Sequence, residues 1–135
     1  IGRRLLLRVR DIMRAQTDIP TVSPQATVAE SVIEMSRCGA GCILIVEGEI
    51  LKGIFTDGDL RRLVRDFENF NLKSSIHLHM MGSPLFLEDQ DMLITIAERE
   101  FHRHKAITSL PVIESATNFK LQGLLCLSDI LKALD

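Results

Sequence analysis

The sequence predicts an α/β fold made of two copies of one β-α-β-β-α unit, and three observations carry that reading. The runs Gly53-Ile-Phe-Thr-Asp-Gly-Asp-Leu60 and Gly123-Leu-Leu-Cys-Leu-Ser-Asp-Ile130 share one pattern: a glycine, an apolar strand, then an aspartate where a helix begins. The glycines and the aspartates are both 70 residues apart (123 − 53 and 129 − 59), the trace a duplicated structural unit leaves. Each run is also preceded by the same succession of a Pro-led apolar segment, a helical pattern and an apolar strand. Finally, 46% hydrophobic residues with no Trp and no Tyr suit an aliphatic core between strands and helices.

The elements follow in order. Residues 1–8 read as the tail of a linker and residues 9–13 as a short leading helix. Pro20-Thr21-Val22 is a short strand. Thr27-Val-Ala-Glu30 is a capping box, in which the threonine hydroxyl accepts from a backbone NH of the first turn and the glutamate reaches back. A helix therefore starts at about Val28, shows its apolar face at Val28, Val32 and Met35, and ends at Gly39 and Gly41. Residues 42–46 and 51–56 are apolar strands joined by Glu47-Gly-Glu49, a hairpin turn composition. Leu60, Leu63, Val64 and Phe67 line one face of the next helix, and the polar residues 68–75 join the halves.

The second copy repeats this order. Residues 76–81 match the leading helix, Pro84-Leu85-Phe86 the short strand, and Ile94, Ala97 and Phe101 the helical face. A strand follows at 109–113, and a helix closes the chain at about 128–134. Met35 and Phe101 are 66 residues apart, so four extra residues separate the copies by the glycines. They are expected in the polar hairpin loop 114–120, where insertion costs little. The organisation is thus a linker (1–8), a first repeat (9–73) and a second repeat (74–135).

Composition excludes several functions. A net charge of −2 and a pI near 6.1 give no general attraction to nucleic acid or anionic membrane, and the lack of Trp and Tyr argues against a base-stacking surface. Arg3, Arg4, Arg8, Arg10 and Arg14 form a basic cluster read as a solvated linker or a contact to a neighbouring domain, since no basic stripe continues it. Cys38, Cys42 and Cys126 are odd in number and lack CxxC spacing, so they fit a reducing, cytoplasmic compartment. No apolar run reaches the roughly 18 residues of a membrane span, and no signal peptide is evident. The absent initiator methionine suggests a piece of a longer protein.

The Gly-h-x-Thr/Ser-x-x-Asp signature, matched in full by Gly53, Thr56 and Asp59, resembles that of the CBS domain, a small ligand-sensing repeat that usually occurs in pairs. The second copy has Gly123 and Asp129 but Cys126 where Thr or Ser is expected. More narrowly, Gly2-Arg-Arg-Leu-Leu-Leu-Arg-Val-Arg-Asp-Ile-Met13, Gly53 to Arg62 and Ile107-Thr-Ser-Leu-Pro-Val112 are similar to the C-terminal region of bacterial arabinose 5-phosphate isomerases. Those enzymes carry a catalytic sugar-isomerase (SIS) domain before the CBS pair. They convert ribulose 5-phosphate to arabinose 5-phosphate, and their product feeds Kdo and lipopolysaccharide synthesis. The resemblance implies two repeats about a pseudo-twofold axis with clefts between them. It implies as partners an SIS domain in the same chain and a homo-oligomer, a dimer of such pairs, with neither nucleic acid nor membrane.

It also implies ligand sites. In the CBS family the Thr and Asp of the signature hold ribose hydroxyls of an adenosine-type ligand, which assigns Thr56 and Asp59 to that task with Arg61 and Arg62 as phosphate contacts. A carboxylate accepts from a cis-diol, a hydroxyl adds a neutral bond, and a helix N-terminus offers NH groups to phosphate. By the same analogy Pro20, Thr21, Val22, Cys42 and Ile43 wall the base. A second, weaker site would use Pro84, Leu85, Thr108, Ser109, Ser128 and Asp129. The plain alternatives are that Asp59 caps its helix and that Val22 and Ile43 are core.

His77 with His79, and His102 with His104, form His-x-His pairs, but residues two apart on a helix do not share a face and no metal site is expected. No Ser-His-Asp set, P-loop or carboxylate pair points to catalysis by this chain. The expected function is a regulatory module sensing an adenine or cytidine nucleotide or a nucleotide sugar, with no required cofactor. The competing expectation is an assembly module that binds no small molecule.

Overall fold

The computed structural model describes residues 6–66, 68 and 70–133. Arg3, Arg4, Phe67, Asn69 and Leu134 therefore lie outside the described residues. Along the described residues run α1 (Val9–Ile12), a 3-10 turn (Gln16–Asp18), β1 (Thr21–Val22), α2 (Val28–Cys38), β2 (Cys42–Glu47), β3 (Ile50–Thr56) and α3 (Asp57–Arg65). A second 3-10 turn at Ile76–Leu78 leads to α4 (Ile94–Arg103), β4 (Ser109–Ile113), β5 (Leu121–Cys126) and α5 (Leu127–Ala133).

Two compact units form: Pro20–Pro84, and Ile1–Ile19 together with Leu85–Asp135. In the first, β1 lies parallel to β2 and β2 antiparallel to β3, with Thr21 opposite Leu44 and Cys42 opposite Thr56. α2 starts at Val28 because Thr27 Oγ1 accepts from Glu30 N at 3.1 Å while Glu30 Oε1 accepts from Thr27 N at 3.0 Å. It stops at Gly39, whose left-handed φ of 63° is easy for glycine. Ile43, Ile45 and Phe55 of the sheet pack on Val28 and Met35 of α2 and on Ile76, which excludes water from one core.

The second unit repeats the plan around β4 and β5, with Leu87 bridging Val112 in place of a full β1. Its core joins Val9, Ile94, Ala97, Phe101, Leu110, Val112, Leu125 and Ile130.

Each unit is completed by the leading segment of the other copy, which local sequence pattern does not reveal. Arg14 exchanges backbone hydrogen bonds with Leu124, at 2.8 and 3.0 Å, and Met81 does the same with Ile54, at 2.8 and 3.0 Å. This crossing explains the signature glycines. A Cβ on Gly53 would sit 2.7 Å from the Met81 carbonyl oxygen, and one on Gly123 would sit 2.9 Å from that of Arg14. The spacing of the copies also becomes clear. Cys42 faces Thr56 and Ser109 faces Cys126, so the offset is already 67 (109 − 42) on entering the hairpin. Three of the four extra residues thus lie in the β4–β5 turn, and the fourth lies between α4 and β4, a correction to the expectation that all four fill the turn.

Candidate functional site

The first signature sits where β3 runs into α3. Thr56 is the N-cap: its Oγ1 accepts from Asp59 N at 3.2 Å, and Asp59 Oδ2 accepts from Thr56 N at 2.9 Å. Thr-Asp-Gly-Asp is thus a capping box with aspartate in the glutamate's place. The other carboxylate oxygen, Oδ1, accepts from Arg62 at 2.5 Å. That pair is an i,i+3 contact with Arg62 67% exposed, so it is worth little and yields readily. An ionised carboxylate has about four acceptor positions, which leaves Asp59 capacity for hydroxyl donors. Arg61, on the same turn, is exposed.

The neighbouring candidates converge on this end of the sheet. Cys42 is buried opposite Thr56. The Pro20 carbonyl accepts from Leu44 N at 2.9 Å, which sets buried Pro20 beside Ile43, and Thr21 is exposed. Val22 and Ile43 pack into the core below. Sequence reasoning read Gly41 only as a helix terminator. Its φ is 75°, its carbonyl accepts from Asp57 N at 3.0 Å, and a Cβ there would meet Asp57 Oδ2 at 3.4 Å. Gly41 therefore ties the start of β2 to the start of α3, and a left-handed glycine is its only signal in sequence.

The second signature is built differently. Asp129 is gripped from outside its own helix: Arg14 Nε donates to its Oδ2 at 2.9 Å and Arg14 Nη2 to its Oδ1 at 3.5 Å. Both side chains are about one-fifth exposed, Arg14 20% and Asp129 22%. Cys126 is buried with its thiol 3.7 Å from Ser109 Oγ, and burial pushes the thiol pKa up. Ser128 and Thr108 are exposed, and the Thr108 carbonyl accepts from Leu127 N at 2.9 Å. The position equivalent to Pro20 is exposed Leu85, since Leu87 meets Val112 as Val22 meets Ile45. Pro84, buried, closes the other compact unit.

The basic cluster is used internally where it is described. Arg8 Nη1 donates to the Asp91 carbonyl at 2.5 Å, Arg10 pairs with Asp91 at 2.8 Å, and Arg14 holds Asp129. The histidines have local partners too: His79 Nε2 lies 2.9 Å from Ser74 Oγ, and His77 Nδ1 lies 3.2 Å from the Pro24 carbonyl. Among the described residues no group of three His, Cys, Asp or Glu side chains converges as a metal site, and no helix is long and apolar enough to cross a membrane.

Known proteins resemble this chain along nearly all its length. The sequence profile of the CBS domain matches residues 9–66 and 74–135. Arabinose 5-phosphate isomerase KdsD of Francisella tularensis is 36% identical over 132 residues, covering 98% of this chain and 39% of that protein. Arabinose 5-phosphate isomerase GutQ of Escherichia coli O6:H1 is 33% identical over 134 residues, covering 98% and 40%. The chain thus spans about two-fifths of the length of these relatives. Among solved structures, CBSX2 in complex with AMP superposes with a TM-score of 0.79 at 21% identity, covering 94% of this chain and 95% of that one. The CBS domain pair of protein MJ0100, in complex with 5′-methylthioadenosine and S-adenosyl-L-methionine, gives 0.78 at 17% identity, covering 96% of each chain.

Proposed function

This chain belongs to the CBS domain family, and from that premise we propose that it is the ligand-sensing regulatory module of a longer arabinose 5-phosphate isomerase. The chain contributes no catalytic group in this reading. An SIS domain elsewhere in the full-length protein converts ribulose 5-phosphate to arabinose 5-phosphate, toward Kdo and lipopolysaccharide. Support comes from relatives that bear that activity in their names and are more than twice as long as this chain.

The observation that carries the sensing role is the Thr56–Asp59 pair at the mouth of α3, where a carboxylate with unused acceptor capacity is held, among the described residues, by its own helix start and an exposed arginine. The ligands named for CBSX2 and MJ0100 are all adenosine derivatives, and AMP and its relatives carry the ribose cis-diol such a carboxylate can accept from. In this reading Asp59 takes the diol, Thr56 adds a hydroxyl contact, and Arg62 turns from Asp59 toward phosphate with Arg61 beside it. Pro20, Thr21 and Cys42 border the base. The ligand is an adenine or cytidine nucleotide or a nucleotide sugar.

A second reading has its own support. The Thr56–Asp59 capping box is a sufficient structural reason for both residues, and a module that only holds an oligomer together needs no more of them. A thermal-shift screen with adenine and cytidine nucleotides and nucleotide sugars separates the two. Sensing requires at least one to raise Tm, since a ligand at 100 times its Kd adds about 2.7 kcal/mol. No shift with any of them supports assembly alone.

A further inference from the structure

We propose that Arg14 is a built-in occupant of the second signature aspartate, so that the chain takes one nucleoside-type ligand, at Asp59, and none at Asp129. The proposal rests on the reading of Asp59 given above and adds its stoichiometry and the residue that sets it.

The two aspartates occupy equivalent positions, yet their surroundings differ in one decisive way. Arg14 and Met81 are structural counterparts, each exchanging a pair of backbone hydrogen bonds with the strand of the adjoining signature. Met81 carries no charge, so Asp59 is left to an arginine on its own helix that is 67% exposed. Arg14 instead aims the edge of its guanidinium at Asp129, with Nε and Nη2 reaching the two carboxylate oxygens. Such a fork fits a carboxylate much as the two hydroxyls of a diol would.

Arg14 is also difficult to displace. Its backbone is fixed to Leu124, its side chain is only 20% exposed, and Met13 beside it covers Gly123. A free diol competes with a group held at high effective concentration within the same unit. The Cys126 substitution acts in the same direction, because a thiol is a weak donor in place of the hydroxyl at Thr56. Arg14 and Cys126 together remove the second site, while Arg14 gains a structural use as the anchor of the leading segment.

The test is a calorimetric titration with AMP of the wild-type chain, of Asp129→Asn, and of the double variant Arg14→Met/Cys126→Thr, which copies Met81 and Thr56 of the first signature. The wild type binds one AMP, Asp129→Asn keeps that stoichiometry and an affinity within about twofold, and the double variant binds two. Two AMP on the wild type, loss of binding in Asp129→Asn, or no gain in the double variant overturns the proposal. If circular dichroism shows the double variant unfolded, Arg14→Lys, which keeps the charge but loses the fork, takes its place, with measurable second-site binding expected at elevated AMP and its absence overturning the proposal. A wild type that binds none beside a double variant that binds one sinks the reading of Asp59 and leaves the role of Arg14 standing. No binding by either overturns both.

Discussion

Asp59 serves its helix and, in the reading proposed, its ligand through the same carboxylate, so one substitution tests two effects with separate readouts. Asp59→Ala removes the bond to Thr56 N and lowers stability by about 1 kcal/mol, measured by denaturant unfolding. It also weakens a ribose-containing nucleotide about tenfold, from roughly 1.5–3 kcal/mol for a hydrogen bond to a charged group. Calorimetry with unchanged affinity leaves Asp59 a cap and nothing more. Gly53→Ala drives a Cβ to 2.7 Å from the Met81 carbonyl and costs about 1–3 kcal/mol by overpacking, a loss visible as a lowered urea midpoint. Thr56, Asp59 and Gly53 were legible in sequence because their spacing is local and repeated. Arg14 was not, since its partner lies 115 residues away and five arginines in a row of fourteen residues look alike before folding.

At the scale of elements, α2 was the most legible because its start depends on four consecutive residues. Thr27→Ala removes the cap and costs about 1 kcal/mol. The hydrogen bond from the Thr27 backbone holds the Glu30 carboxyl below its ordinary value. A lowered folded pKa stabilises the protein above the unfolded value, and that contribution fades as pH falls through the folded one. Glu30→Gln therefore flattens the acid limb of a stability-versus-pH curve below the ordinary glutamate range while leaving its shape near neutrality unchanged. An acid limb identical to wild type would show the box to be open in solution. The exchange of leading segments was illegible for a different reason: α1 and the Ile76–Leu78 turn are too short to carry an apolar face that names its partner, and the pairings Arg14 with Leu124 and Met81 with Ile54 are made through backbone atoms.

For the molecule as a whole, the α/β class and the duplicated CBS unit were readable from periodicity and motif, and the relatives bear them out. The apolar face expected on α3 is reapportioned: Leu60 and Leu63 pack into the core, and Val64 is left 48% exposed. If that face joins copies of the chain, Val64→Ser weakens self-association by about 1 kcal/mol per copy, roughly half the value of burying a valine in full, and light scattering over a dilution series reports it. A clean monomer at every concentration contradicts the assembly role. Regulation makes the stronger demand, because a ligand shifts an equilibrium only by its difference in affinity for two states. The most direct measurement is steady-state kinetics of the full-length protein, assayed as the isomerase proposed above, with and without the nucleotide that most stabilises this chain. Coupling of about 1–3 kcal/mol predicts a change in substrate affinity of roughly five- to 150-fold, abolished in Asp59→Ala. Nucleotide that binds the full-length protein yet leaves both KM and kcat unchanged contradicts the sensing account.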